Sequence, residues 1–168
     1  MLNVILPMAG YGRRFREAGY EKEKPLIEVG GKTLLEWSGS CFPDDWNIIA
    51  ILRADQPSYE IEEALARLRP PRHRGAPDLG NWGTVFIPGP TQGAALSVLA
   101  AAVGLPPDEP VLVANCDQWF KVGKVRATGK GLCGSVDAEE LPGVYDAAMQ
   151  QSWDGFVLTF PGTGSAWS

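Results

Sequence analysis

Three short stretches carry residue types able to do chemistry: Gly10-Tyr11-Gly12-Arg13-Arg14, Lys24-Pro25-Leu26 and Asn115-Cys116-Asp117-Gln118. The first follows an apolar run, Leu2 to Leu6, that stops at Pro7. A strand running into a glycine loop and then into cations suits an anion. The glycines let backbone N–H groups come close, and the cations neutralise the charge. The phosphates of a nucleotide are the expected ligand. Pro25 restricts Lys24 to an extended conformation, which limits where its ammonium points. Spacing removes two common phosphate motifs. A dinucleotide fingerprint needs a third glycine where Phe15 stands and an acidic residue ending the second strand, which here ends near Arg53 with Asp55 just beyond. A Walker loop needs a GK[ST] that does not follow.

Other chemistries find little support. His73 is the one histidine and lies in an arginine-rich loop, which argues against a Ser/His/Asp or Cys/His hydrolase. Cys116 beside Asp117 reads as a small buried residue. Cys41, Cys116 and Cys133 are odd in number and widely spaced, as expected for reduced thiols in a cytoplasmic protein. A net charge of −5 supplies no broad basic surface for nucleic acid. The N-terminal apolar run is too short, and lacks the basic lead, of a signal peptide. No stretch is long enough to span a membrane. With 168 residues, 45% hydrophobic and 21% charged, the chain reads as a single globular domain, 1–168.

The elements that must position these residues follow from pattern. Leu2–Leu6, Asn47–Arg53, Thr84–Ile87, Val111–Ala114 and Phe156–Phe160 are expected strands, and Pro25–Val29 a short one closed by Gly30-Gly31. Arg13–Ala18 begins a short helix that Gly19 ends. Thr33 caps the next helix with Glu36 completing a capping box, and Leu34, Leu35 and Trp37 are its core candidates. Ser58 caps a helix carrying Ile61, Leu65 and Leu68 at helical spacing, and Thr91–Val103 forms another. Pro70–Gly83 is an expected surface loop. Residues 121–152 give little pattern beyond a helix near Tyr145–Gln151. Apolar strands alternating with helices imply an α/β sandwich with a mostly parallel sheet, whose ligands bind beyond the carboxyl ends of the strands. Two strands end there in polar loops, at Gly10–Arg14 and at Asn115–Gln118.

The stretch LPMAGYGRRFREAGYEKEKPLIEVGGKTLLEW resembles the N-terminal signature of the sugar-phosphate nucleotidyltransferases, the nucleoside-diphosphate-sugar pyrophosphorylases. Gly10, Gly12, Arg14, Lys24, Pro25, Leu26, Gly31 and Lys32 fall on that pattern. TQGAA from Thr91 resembles the family's nucleotide-contacting helix start, and VLVANCDQ from Val111 its strand ending in a metal-binding aspartate. Asp154–Phe160, with Trp167-Ser168, is similar to the branch acting in surface-polysaccharide precursor synthesis. The resemblance implies a three-layer α/β/α sandwich with a Rossmann-like, GT-A-like core. It implies transfer of a nucleotidyl group from a nucleoside triphosphate to a sugar 1-phosphate, with Mg²⁺ and release of pyrophosphate. The implied catalytic residues are Arg14 on the leaving pyrophosphate and Lys24 between the α-phosphate and the sugar phosphate. Met8, Ala9, Gly10, Tyr11, Gly12, Gln92 and Gly93 would bind the nucleotide, and Asp117 would hold the metal. Arg13 lacks the family spacing and reads as solvated. Trp119, Trp153 and Trp167 are assigned to packing ahead of a sugar pocket. A homodimer is compatible with the resemblance; nucleic-acid and membrane partners are not expected.

The pattern breaks at the C-terminus. The family's second metal-binding aspartate and its sugar-holding segment lie beyond the strand matching Phe156–Phe160, so that part reads as missing or reduced. Asp137, Asp146 and Asp154 are the stand-ins at hand, with no spacing that selects among them. Two other readings therefore stand beside the transferase: a non-catalytic nucleotide- or nucleotide-sugar-binding module, and a nucleotide-sugar-dependent glycosyltransferase. The last normally has a DxD-type motif where this chain has Asn115-Cys116-Asp117.

Overall fold

Asn3–Pro7 (β1) is buried along nearly its whole length, as a nearly continuous apolar run requires of a central parallel strand. The structure, a computed structural model, describes residues 2–69, 81–105, 110–119, 125–128 and 131–134. The chain divides into two compact units, Met1–Lys121 and Val122–Ser168. In the first unit β1 is followed by α1 (Arg13–Glu17), a 3-10 turn (Lys24–Leu26), β2 (Glu28–Val29), β3 (Lys32–Thr33) and α2 (Leu34–Gly39). Then come β4 (Asn47–Arg53), α3 (Ser58–Leu68), β5 (Trp82–Ile87), α4 (Ala94–Ala102) and β6 (Val111–Val113). In the second unit β7 (Val125–Thr128) pairs antiparallel with β8 (Gly131–Gly134).

The main sheet has the order β5-β4-β1-β6 and every pairing in it is parallel. Residues paired in register share a face, so Ile5, Ile49 and Ile51 look one way and Val4, Leu6, Ile48 and Leu52 the other. The first face packs with Ile87 and Ala9 against Val98 of α4 and Leu105. On the second face Thr84 of β5 donates to Glu62 of α3 at 3.5 Å. Helices thus cover both faces, which makes the expected three-layer α/β/α arrangement. Strand order advances from β1 through β4 to β5, then returns to the far side of β1 for β6. The topological switch point lies between β1 and β6, where open α/β sheets bind ligands.

Local chemistry explains most of the boundaries. Thr33 and Glu36 form the expected capping box: the Glu36 N–H donates to Thr33 Oγ1 at 3.1 Å and the Thr33 N–H to Glu36 Oε2 at 2.8 Å. Burial pushes the Glu36 carboxyl up, but hydrogen bonds from Arg67 and Thr33 hold it below the usual carboxylate value. Leu35 is fully buried, while Leu34 and Trp37 are half-buried. Other expectations need correction. Pro25–Val29 is not one strand: Pro25 lies within the 3-10 turn, and Glu28–Val29 pairs through Gly30-Gly31 with Lys32–Thr33. The extended residue ahead of that turn is Glu23 (φ −55°, ψ 142°), and Lys24 is already part of it. Ser58 is the first residue of α3, with Pro57 at the cap. Helix α4 begins at Ala94 rather than Thr91, because Gly93 has a non-helical φ of 157° and Thr91 Oγ1 donates to the Gly93 carbonyl at 2.7 Å. Strand β5 begins at Trp82, inside the expected loop, since Trp82 and Gly83 pair with Ile48 and Ile49. The expected helix at Tyr145–Gln151 and strand at Phe156–Phe160 lie outside the described residues, as does His73.

Helices α2 and α3 approach closely at Gly39, where a Cβ would overlap the Leu68 side chain. Gly39→Val is expected to destabilise the fold by about 1–3 kcal/mol through overpacking. The urea midpoint should fall with an unchanged m-value.

Candidate functional site

The loops that follow β1 and β6 bring together residues far apart in the chain. Lys24 Nζ lies 2.6 Å from Asp117 Oδ2, with the two side chains 28% and 31% exposed. The 3-10 turn that carries Lys24 packs on α2 and α3, and its Pro25 is buried. The ammonium stands 5.4 Å from the centre of the Phe15 ring, within cation–π range. Gly12, just ahead of α1, has φ 59° and ψ 32°, a left-handed conformation. A Cβ there would come 3.3 Å from Lys24 Cβ, so both backbone hand and clearance favour glycine.

Asp117 is placed by its own strand end. The Ala114 N–H donates to the Ile5 carbonyl at 3.0 Å, extending the sheet past β6. The buried Ser38 hydroxyl of α2 donates to the Asn115 carbonyl at 2.6 Å. Cys116 is buried, and that burial pushes its thiol up to about 12. It therefore stays protonated and packs as a small apolar residue, as its sequence context suggests. Trp119 is exposed and meets Trp37 edge to face at 5.9 Å.

The glycine loop is held from behind. Arg53, at the end of β4, is 1% exposed; its Nη1 donates to the Ala9 carbonyl at 3.1 Å and the Gly10 carbonyl at 2.8 Å. Its Nε reaches Asp55 at 2.9 Å and its Nη2 reaches Glu23 at 3.3 Å. The guanidinium also lies over the Tyr11 ring, 4.4 Å from its centre. Gln56 donates to the Met8 carbonyl at 3.1 Å and accepts from the Arg53 N–H at 2.6 Å. Sequence reading took Arg53 only as a strand end and passed over Gln56. The available signal was a charged residue closing an otherwise apolar strand beside a glycine loop.

The remaining sequence candidates divide by position. Met8 is buried, and its N–H donates to the Ile51 carbonyl, so it continues the sheet. Ala9, Gly10, Gly93 and Ala94 line a cleft of about 190 Å³, together with Pro7, Pro90, Thr91 and Ser97. This cleft joins the glycine loop to the start of α4. Gln92 is exposed next to it but does not line it. Among the described residues, the N–H groups of Ala9, Gly10, Tyr11 and Gly12 form no hydrogen bond. Arg13 and Arg14 are both exposed and make no ion pair among the described residues, so geometry does not separate them.

A hard cation such as Mg²⁺ takes one or two carboxylates plus phosphate oxygens and keeps several waters. Asp117 fits that demand as a single, partly exposed carboxylate beside Lys24. No group of three or more His, Cys, Asp or Glu side chains suited to a metal occurs among the described residues.

The fold is a Rossmann-type α/β core, a parallel sheet with helices on both faces and a crevice at its switch point. The chain resembles the crystal structure of the nucleoside-diphosphate-sugar pyrophosphorylase from Vibrio cholerae RC9, with a TM-score of 0.51 and 18% identity. The match covers 92% of this chain and 82% of that one, and at this identity the likeness is one of fold. No family model and no curated protein matches the sequence. No helix among the described residues is long and apolar enough to cross a membrane.

Proposed function

We propose that the chain is a sugar-1-phosphate nucleotidyltransferase. The observation that carries this is the Lys24–Asp117 pair at the switch point, beside a glycine loop whose N–H groups are free among the described residues. A phosphate oxygen of the sugar 1-phosphate attacks the α-phosphorus of a nucleoside triphosphate. The bond from that phosphorus to the bridging oxygen of the β-phosphate breaks, and pyrophosphate leaves in line. Such a reaction asks the protein mainly to position two polyanions and offset their repulsion. Gly10, Tyr11 and Gly12 supply N–H groups to the triphosphate. Lys24 gives a compact charge to the α-phosphate and the incoming phosphate, and Arg14 a planar fork to the leaving pyrophosphate. Gln92 and Gly93 would contact the base, Gly93 from the α4 end of the cleft and Gln92 from beside it. Bound Mg²⁺, held through Asp117, would neutralise phosphate charge.

The polysaccharide-precursor branch rests on Asp154–Phe160, and a second carboxylate is sought among Asp137, Asp146 and Asp154; all lie outside the described residues. The test separates binding from turnover. A nucleoside triphosphate with Mg²⁺ should raise the melting temperature, because a ligand selective for the native state stabilises it. Adding sugar 1-phosphates should then release pyrophosphate for one triphosphate–sugar pair. Stabilisation with no pyrophosphate across a full panel would leave a nucleotide-binding module. No stabilisation by any triphosphate would sink the reading altogether.

A further inference from the structure

Arg53 and Gln56 form no hydrogen bond or ion pair with Lys24 or Asp117, yet they bond three consecutive carbonyls of the loop beside that pair: Met8, Ala9 and Gly10. Each peptide unit is planar and trans, so a carbonyl and the N–H of the next residue point in opposite directions. Fixing the carbonyls of Met8, Ala9 and Gly10 toward Arg53 and Gln56 therefore turns the N–H groups of Ala9, Gly10 and Tyr11 the other way. Ala9 and Gly10 line the cleft, and none of these three N–H groups is bonded among the described residues. Successive N–H groups aimed together form an anion-binding concavity.

We infer that Arg53, aided by Gln56, is a positioning residue that presets the loop's N–H groups for a phosphate ligand. Left alone, a glycine-containing loop samples many backbone states, and an anion would have to order it on binding. A buried guanidinium with two loop carbonyls on one nitrogen and two carboxylates on the others removes that freedom in advance. The Tyr11 ring against the guanidinium closes the same bracket from the loop side. A lysine carries the charge but not the planar fork, and cannot satisfy carbonyls and carboxylates in the same geometry. This inference rests on the phosphate reading of the loop.

The test uses the full chain and tripolyphosphate, the group shared by all nucleoside triphosphates, titrated by calorimetry and by amide NMR. Wild type should bind it, with the Ala9, Gly10 and Tyr11 amide resonances shifting together. Arg53→Lys, and separately Gln56→Met, should weaken binding by about tenfold or more while remaining folded. Gly39→Val, which destabilises the same unit without touching the loop, serves as the control and should bind as wild type does. Equal binding by wild type, Arg53→Lys and Gln56→Met would overturn the inference while leaving the phosphate site intact. So would an equal loss in Gly39→Val, because the effect would then be general destabilisation. Wild type that binds no tripolyphosphate would instead remove the phosphate reading itself.

Discussion

Replacing Lys24 by alanine is expected to lower the rate of pyrophosphate release by about 10²–10³-fold, the usual loss when one preorganised charge is taken from a developing anion. The side chain is the cation that the fold aims at the switch point. Pro25 anchors its turn, Phe15 lies beneath its ammonium, and Gly12 gives its Cβ room. Stability should change little. The pair with Asp117 is about a third exposed on both sides, so its loss costs no more than about 1 kcal/mol. Activity and melting temperature should therefore separate. Rate measurements beside a thermal unfolding curve check this, and a variant that loses activity only because it unfolds would count against the assignment.

Asp117→Asn should move two quantities in opposite directions. With Mg²⁺ present, turnover should fall about 10²-fold or more, and Mg²⁺ should improve triphosphate binding far less, because a neutral amide oxygen holds the cation more weakly than a carboxylate does. Without metal, triphosphate should bind more tightly than to wild type. In wild type the ammonium of Lys24 must leave a carboxylate 2.6 Å away before it can serve a phosphate, and asparagine removes that competitor. An ion pair at this exposure is worth up to about 1 kcal/mol, so the gain should not exceed about fivefold. Calorimetry with and without a chelator reads both signs. A destabilised variant would lose affinity under both conditions, so the opposed pair of effects is diagnostic.

Asn47–Arg53 shows how far pattern alone carries: the apolar run from Ile48 to Leu52, buried on both faces, became the centre of the strand beside β1, with the expected ends. The capping box at Thr33 and Glu36 was equally legible, since its hydrogen bonds are local. Strand β5 was read short because Gly83 is a weak strand former and closes a proline- and glycine-rich stretch, whereas its pairing, with Trp82, to Ile49 and Ile48 is a long-range contact. The turn at Lys24 was misread because the restriction imposed by a proline is a tendency that packing on α2 and α3 outweighs. At the site, the glycine loop and Lys24 were visible as motifs. That Lys24 meets Asp117 is a consequence of strand order, which spacing does not encode. Arg53 was missed for a related reason. Its meaning lies in the carbonyls it reaches across the sheet, and an arginine at a strand end looks the same whether it is solvated or 1% exposed. Arg69, at the C-terminal cap of α3, is comparable: buried, it donates to the carbonyls of Gly39, Phe42 and Pro43, contacts that its place in the sequence does not show.

Nucleotidyl transfer at the Lys24–Asp117 crevice is tested most directly by following both ends of a labelled triphosphate. The full chain is mixed with Mg²⁺, a panel of sugar 1-phosphates and a nucleoside triphosphate radiolabelled either at its α- or its γ-phosphorus. The α-label should appear in a nucleoside-diphosphate sugar and the γ-label in pyrophosphate, in equal amounts and only when triphosphate, sugar phosphate and metal are all present. Release of the γ-label as orthophosphate, or no redistribution of either label across the common triphosphates, would show that this crevice does not join a nucleotide to a sugar.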